Sequence, residues 1–346
     1  MNRLDKLFLE SKEINITNDD KIVIFSDLHL GNGRRNDDFK RNSESFIKVL
    51  KDYYLKNDFT LILNGDVEEL YKFTLKTIKK SWSELYTIFD EFNNKGKLFK
   101  IFGNHDYELA INKHLKTGFE LYESLKLKYN DNDIFIYHGH QTGSWIEQYS
   151  KIALFFIKYL FRQIENKIEP IESHKVYKAE SNAYCHSKMR KSISILGHTH
   201  RPLFESHSKL DSLKLIIEKL IDRYSKSFDD ERKLKISNQI NRYKSELDKL
   251  ISSKEVYHKR NSLYEDGMIV PCLFNSGSIT GKHGFTGLEI KNGKIALIYW
   301  FDILNSQRYL DYKGVKHKKF QDTNFHKAIL KKDSLDYLFS RIKLLC

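Results

Sequence analysis

Apolar residues fall in short runs along this chain, and each run stops abruptly at polar residues. Ile22, Val23, Ile24 and Phe25 give way to Ser26, Asp27, Leu28 and His29. Leu61, Ile62 and Leu63 give way to Asn64, Gly65 and Asp66. The run at 98–102 ends in Gly103, Asn104, His105 and Asp106, and the run at 134–137 ends in His138, Gly139 and His140. The run at 193–196 ends in Gly197, His198, Thr199 and His200. Short runs rich in β-branched and aromatic residues, bounded by Gly and Asp, predict buried strands. Ligands of open α/β sheets bind at the carboxyl ends of strands. Five strand ends carrying Asp, His and Asn are therefore expected to share one crevice.

Elsewhere the period lengthens. Phe46, Leu50 and Tyr53 predict a helix covering the sheet, and residues 81–93 another, with Trp82, Leu85, Ile88, Phe89 and Phe92 on one face. Residues 1–20 are polar and are expected only to lead into the first strand. Residues 144–192 predict a helical cap. Its first part, 145–168, is apolar but broken by Glu147, Lys151, Lys158 and Arg162. That is far short of the roughly 18 apolar residues of a membrane span. An amphipathic helix fits better, either as a lid or lipid-surface contact, or packed on the core or at a dimer contact. The polar, basic part at 172–192 predicts a second cap helix, solvated or reaching toward phosphate.

Leu210, Leu213, Ile217, Leu220 and Tyr224 step by threes and fours, as do Ile236, Ile240, Tyr243, Leu247 and Leu250. Within 206–260 this predicts an antiparallel coiled-coil hairpin turning at 225–230. It serves homo-oligomerisation or partner docking, or packs only on itself. Residues 268–270 and 272–274 resume the sheet, and 287–298 predict a hairpin around Asn292 and Gly293. Residues 305–346 form a basic extension, with Lys316, Lys318 and Lys319, ending in an apolar-spaced helix that packs on the core or a partner.

The polar strand ends carry the chemistry. Asp27, His29, Asp66, Asn104, His138, His198 and His200 offer imidazole, carboxylate and amide-carbonyl donors. One ion cannot use them all without crowding, whereas two ions about 3.5–4 Å apart can, sharing a carboxylate. Such a pair clamps a phosphate and lowers the pKa of bound water. Mixed N and O donors suit Mn, Fe or Zn better than Mg or Ca.

Together the Asp27-x-His29, Gly65-Asp66, Gly103-Asn104-His105-Asp106, His138-Gly139-His140 and Gly197-His198-x-His200 motifs resemble the calcineurin-like metallophosphoesterase superfamily. All five are present in the family's order. The resemblance implies a four-layer α/β/β/α sandwich within one domain spanning 1–346. It implies a phosphatase or phosphodiesterase that uses a metal-bridging hydroxide. One ion takes Asp27, His29, Asp66 and His200, and the other takes Asp66, Asn104, His138 and His198. His105 is then a non-ligand facing the scissile phosphate, where it assists departure. Asp106 is expected to hold the His105 ring and raise its pKa. His140 is ambiguous between loop contact and substrate contact. The loop Asn275, Ser276, Gly277, Ser278 is expected to support the His198–His200 pair.

The Gly197-His198-Thr199-His200-Arg201-Pro202 run is also similar to the branch that hydrolyses UDP-diacylglucosamine. This makes pyrophosphate hydrolysis on a nucleotide-linked lipid an alternative. That branch carries Arg where this chain has His105, which favours the general phosphoesterase pattern. The third reading, a non-catalytic scaffold, fits a broken ligand set better than a full one.

Three smaller features stay open. The loop Gly31 to Arg35 is basic and expected to be flexible, and Arg34 or Arg35 either touches substrate phosphate or is solvated. Glu68 and Glu69 are expected to be a solvated helix start more than substrate or metal contacts. A net charge of +13 implies attraction to anions, nucleic acid and anionic lipid included, or simply a Lys-rich solvated surface. Three Cys without CxxC spacing fit a reducing compartment. With no apolar export core at the start, a cytoplasmic protein is expected, with peripheral membrane contact as the variant.

Overall fold

Alternate residues of each apolar run go to different layers. The computed structural model describes residues 3–112, 114–115, 117–143, 173–206, 209–252, 270–305 and 317–346. Among these residues, thirteen strands, numbered along the chain, form two sheets. The larger runs β12 (His317–Lys319), β13 (Phe325–Ser334), β11 (Lys294–Asp302), β10 (Phe285–Lys291), β2 (Lys21–Phe25), β3 (Thr60–Asn64), β4 (Leu98–Ile101), β5 (Leu121–Tyr122). The smaller runs β1 (Lys12–Ile16), β6 (Ser124–Tyr129), β7 (Asn132–Tyr137), β8 (Ile193–Leu196), β9 (Leu273–Asn275). β2, β3 and β4 are mutually parallel, as are β7, β8 and β9.

Ile22, Ile24, Ile62 and Ile101 of the larger sheet face Leu125, Leu127, Ile134, Ile136, Ile193 and Ile195 of the smaller one, forming a core between the sheets. Val23, Phe25, Leu61 and Leu63 point the other way, onto Phe46, Leu50, Ile78, Leu85, Phe89 and Phe92 of the covering helices. Phe135, Tyr137 and Leu196 do the same for the smaller sheet, meeting Leu4, Leu7, Phe8 and Ala183. The result is an α/β/β/α sandwich. Strands buried on both faces read as unbroken apolar runs rather than alternating ones.

The five expected strands all form, but three lie in one sheet and two in the other. Their shared crevice is therefore built from strand ends of both sheets. The 46–53 helix is Ser43–Val49, continued by a wider turn at Leu50–Leu55. The 81–93 helix is Ser83–Asn94, preceded by a separate helix, Leu75–Ser81, with the break at Trp82. The Asn292-Gly293 turn joins β10 and β11, with both residues at positive φ, 54° and 64°.

Several expectations change. Residues 1–20 are not merely a polar lead-in: helix Arg3–Glu10 buries Leu4, Leu7 and Phe8, and β1 follows it. The second cap helix is Ser173–Arg190, and it is not solvated throughout: Ala183 packs into the outer core of the smaller sheet. The basic C-terminal stretch adds β12 and β13 to the larger sheet. Its final helix, Leu335–Leu345, buries Leu335, Leu338, Phe339 and Ile342 in the inter-sheet core.

Within 206–260, helices Lys209–Ser225 and Asp230–Ser252 pack on one another, and Leu213, Leu220 and Ile236 are buried. Tyr224, expected on the seam, is exposed. The expected amphipathic helix at 145–168 lies outside the described residues, as do 253–260, Met268 and Ile269. Among the described residues, no helix is long and apolar enough to cross a membrane.

Candidate metal centre

The polar residues after β2, β3, β4, β7 and β8 come together at one end of the sandwich. Two hydrogen-bond ladders fix their backbones. Asp27 N donates to Gly65 O at 3.1 Å, His29 N to Asp66 O at 3.0 Å, and Leu30 N to Val67 O at 2.8 Å. Within the smaller sheet, Gly197 N donates to His138 O at 2.9 Å, and across the sheets Asn64 Nδ2 donates to Tyr137 O at 3.2 Å. Asp27, His29, Asp66, His198 and His200 all have left-handed backbones, with φ between 51° and 63°. Each such non-glycine residue costs on the order of 1–3 kcal/mol and persists only where its surroundings hold it. Five of them at one site concentrate strain where the donors converge.

Two glycines of the motifs have a steric reason. Gly65 has φ +83°, and a Cβ there would run into the His138 ring. A Cβ on Gly103 would overlap the Asp66 carboxylate. Both let carboxylate, imidazole and backbone approach more closely than any side chain permits.

Donor atoms gather in three overlapping groups: Asp27 with His29 and His200, Asp66 with His138 and His198, and His29 with Asp66 and His105. His200 Nε2 lies 3.1 Å from Asp27 Oδ1 and 3.1 Å from His29 Nε2. His138 Nε2 lies 3.0 Å from Asp66 Oδ2, and His29 Nε2 lies 4.0 Å from that same oxygen. Asp27, Asp66 and His138 are fully buried. The ring orientations are set from behind. His138 Nδ1 donates to Asn64 O at 2.8 Å and His29 Nδ1 to Glu69 Oε2 at 3.0 Å, so both Nε2 atoms face the crevice. Asn104 Oδ1 is buried and makes no hydrogen bond. A buried acceptor left so costs roughly 1–3 kcal/mol. A buried oxygen acceptor without a hydrogen-bond partner suits a divalent cation.

Charge follows this crowding. Burial works against a charged His138, yet Asp66 outweighs it and raises the ring to about 9. His200 is raised the same way, Asp27 outweighing burial. For His105, burial is outweighed by Asp66 and by the hydrogen bond to Glu69, again raising the ring. Burial pushes the Glu69 carboxyl up, but hydrogen bonds from His105 and His29 carry it down to about 2.

Glu69 is the residue that sequence reasoning misjudged. It is buried, not a solvated helix start, and its two oxygens take His105 Nδ1 at 2.9 Å and His29 Nδ1 at 3.0 Å. Glu68 is buried too, and pairs with Lys100 Nζ at 2.5 Å and 2.7 Å and with Tyr86 OH at 2.6 Å. A lysine inside the apolar run 98–102 was the available signal, because a buried ammonium needs a carboxylate. Asp106 has a different task from the one expected. Its oxygens accept from Val67 N at 2.8 Å and Gly103 N at 2.5 Å, and Glu69 is the carboxylate on the His105 ring. Asp106 thus pins together the loops that follow β3 and β4. Its carboxyl is pushed up to about 7 by burial, with Glu68 and Asp66 adding to the effect.

The remaining candidates sort simply. His140 belongs to none of the donor groups, and its ring stands 5.6 Å from that of His138. The loop after His29 is tied by Asp37, which accepts from Gly33 N at 2.7 Å and Trp82 Nε1 at 3.0 Å, while Arg34 and Arg35 are exposed. Asn275 does support the histidine loop, donating to Gly197 O at 2.7 Å and Thr199 Oγ1 at 3.0 Å. Arg201, a mark of the lipid-nucleotide likeness, is bound by Glu180.

No curated protein matches the chain. The family model described as calcineurin-like phosphoesterase matches residues 20–214, more than half of the 346, and takes in every motif assembled at this crevice. The chain therefore belongs to the calcineurin-like phosphoesterases, metal-dependent hydrolases of phosphoric esters.

Proposed function

We propose that the chain hydrolyses a phosphomonoester or phosphodiester at a centre of two divalent ions. Asp27, His29, Asp66 and His200 hold one ion, and Asp66, Asn104, His138 and His198 hold the other. The observation that carries this reading is the pair of donor groups, Asp27/His29/His200 and Asp66/His138/His198, side by side in one crevice. Mn fits the mixed imidazole and oxygen donors, with Fe and Zn close behind.

When bound, such ions neutralise phosphate charge and make water a nucleophile near neutral pH. The chain's own groups do the rest. Asp27 and Asp66 carry the negative charge that balances the cations. Glu69 and the Asn64 carbonyl fix ring tautomers, so that His29 and His138 present bare Nε2 atoms. His105 meets Glu69 through Nδ1, and Asp66 and Glu69 raise its pKa against burial; in the charged ring so favoured, Nε2 carries the second proton. That proton is available to the leaving oxygen of an ester seated there.

The test loads purified protein with Mn and assays p-nitrophenyl phosphate and bis(p-nitrophenyl) phosphate. Two ions per chain and chelator-sensitive hydrolysis of at least one ester are expected. Protein that takes up no ion, or hydrolyses neither ester when loaded, overturns the reading.

A further inference from the structure

A side chain of the helix Ser173–Arg190, that of Glu180, reaches the loop bearing His198 and His200. Glu180 is only 5% exposed. Its Oε1 accepts from Thr199 Oγ1 at 2.9 Å and from Arg201 Nε at 3.2 Å, and its Oε2 accepts from Arg201 Nη2. Thr199 and Arg201 are the two neighbours of His200, and Thr199 alone separates His200 from His198. One carboxylate thus grips the chain on both sides of one histidine and between the two.

The grip has a counterpart on the opposite side. Asn275 Nδ2, at the end of β9, donates to Thr199 Oγ1 at 3.0 Å and to Gly197 O at 2.7 Å. The Thr199 hydroxyl therefore accepts from one element and donates to another. This loop needs such restraint. His198 and His200 sit at φ 63° and 54°, conformations an unsupported chain would leave. His200 is also the most exposed of the imidazoles whose distances define the centre, at 41%. Burying a carboxylate is unfavourable unless it is paired and hydrogen-bonded, and here both requirements are met by the histidine loop itself.

We propose that Glu180 is a positioning residue that orients His198 and His200 for the two ions at once. The inference rests on the two-ion centre proposed above. It makes a distinctive demand, because His198 and His200 fall in different donor groups. Loosening their shared loop weakens both ions together. Removing a donor of a single group, such as His138, leaves the other ion in place.

The experiment titrates the full chain with Mn²⁺ and with Zn²⁺ alone, following heat and stoichiometry, alongside melting temperature. Glu180→Ala and Thr199→Val are each expected to weaken both ions about 10- to 100-fold, the usual effect of losing a group that orients metal ligands. Glu180→Gln, which keeps an acceptor for Thr199, is expected to lie between Glu180→Ala and wild type. His138→Ala is expected to retain one ion. Two ions bound with wild-type affinity in Glu180→Ala overturn the proposal, and a lowered melting temperature alongside would mark Glu180 as packing only. If Glu180→Ala does not fold, Thr199→Val decides on the same criterion. A wild-type chain that binds neither metal overturns the two-ion centre, and this inference with it.

Discussion

Glu69 lies 2.9 Å from His105 Nδ1, and its other oxygen lies 3.0 Å from His29 Nδ1. A single carboxylate thus joins an expected metal ligand to the expected proton donor. The hydrogen bond and charge of Glu69 both help hold the His105 pKa above its ordinary value. A general acid must be protonated, so its contribution is present at low pH and lost as pH rises through that raised pKa. Glu69→Gln removes the charge. The basic limb of the kcat–pH profile is expected to move to lower pH, with kcat falling about 10- to 100-fold. A basic limb left in place with unchanged kcat would remove Glu69 from this role.

His105 and Asp66 separate chemistry from metal binding. His105→Ala is expected to keep nearly all bound metal and to lose about 100- to 10,000-fold in turnover, the range of general acid–base catalysis. Asp66→Ala is expected to lose metal and activity together, because Asp66 faces His138 at 3.0 Å and His29 at 4.0 Å. Metal analysis of both variants beside their turnover checks this. Equal metal loss in the two would make His105 a ligand instead.

The strand-end residues that meet at the crevice were legible in the sequence because each buried strand announces itself twice, by an apolar run and by the polar stop after it. The division of those strands between two sheets was not legible, since a run buried on both faces carries no mark of its neighbour. Glu69 was hidden for a related reason. An acidic pair after a strand reads as a solvated helix start, and only folding shows His29 and His105 arriving at its two oxygens. Lys327, Lys331 and Lys332 obscured β13, a strand paired on its outer side, among the described residues, with the three-residue β12 alone. Leu4, Leu7 and Phe8 did have helical spacing, but the charges around them masked so short an amphipathic stripe. Asp106 was misread because adjacency in sequence suggested a contact that the turn at Gly103 redirects to backbone amides.

Metal binding should release protons. His138 is raised to about 9, Asp66 outweighing burial, so before metal arrives its ring is mostly charged at pH 7; Asp27 shifts His200 in the same direction. A metal ligand must be a neutral imidazole. Each ring that gives up its proton makes binding tighter as pH rises, until pH passes the metal-free pKa. At pH 7 at least one proton per chain is expected to leave on saturation with Zn²⁺. Titrations in buffers of different ionisation enthalpy measure this directly. Heats independent of the buffer would mean that the rings are already neutral.

Beneath the centre, Lys100 Nζ and the Glu68 carboxylate pair at 2.5 Å, both buried, and join β4 to the loop bearing Asp66 and Glu69. A buried pair of this kind is weak support for stability as a whole, yet removing one partner leaves an uncompensated charge. Lys100→Met is therefore expected to destabilise the fold by about 3–5 kcal/mol. Adding Glu68→Gln removes the stranded charge while keeping an acceptor for Tyr86 OH, now 2.6 Å away. The double variant is expected to recover most of the loss. Urea unfolding of wild type, both single variants and the double variant closes the cycle. If the two single losses simply add, the ammonium and the carboxylate are not coupled, and the link from β4 to the loop bearing Asp66 must be apolar packing instead.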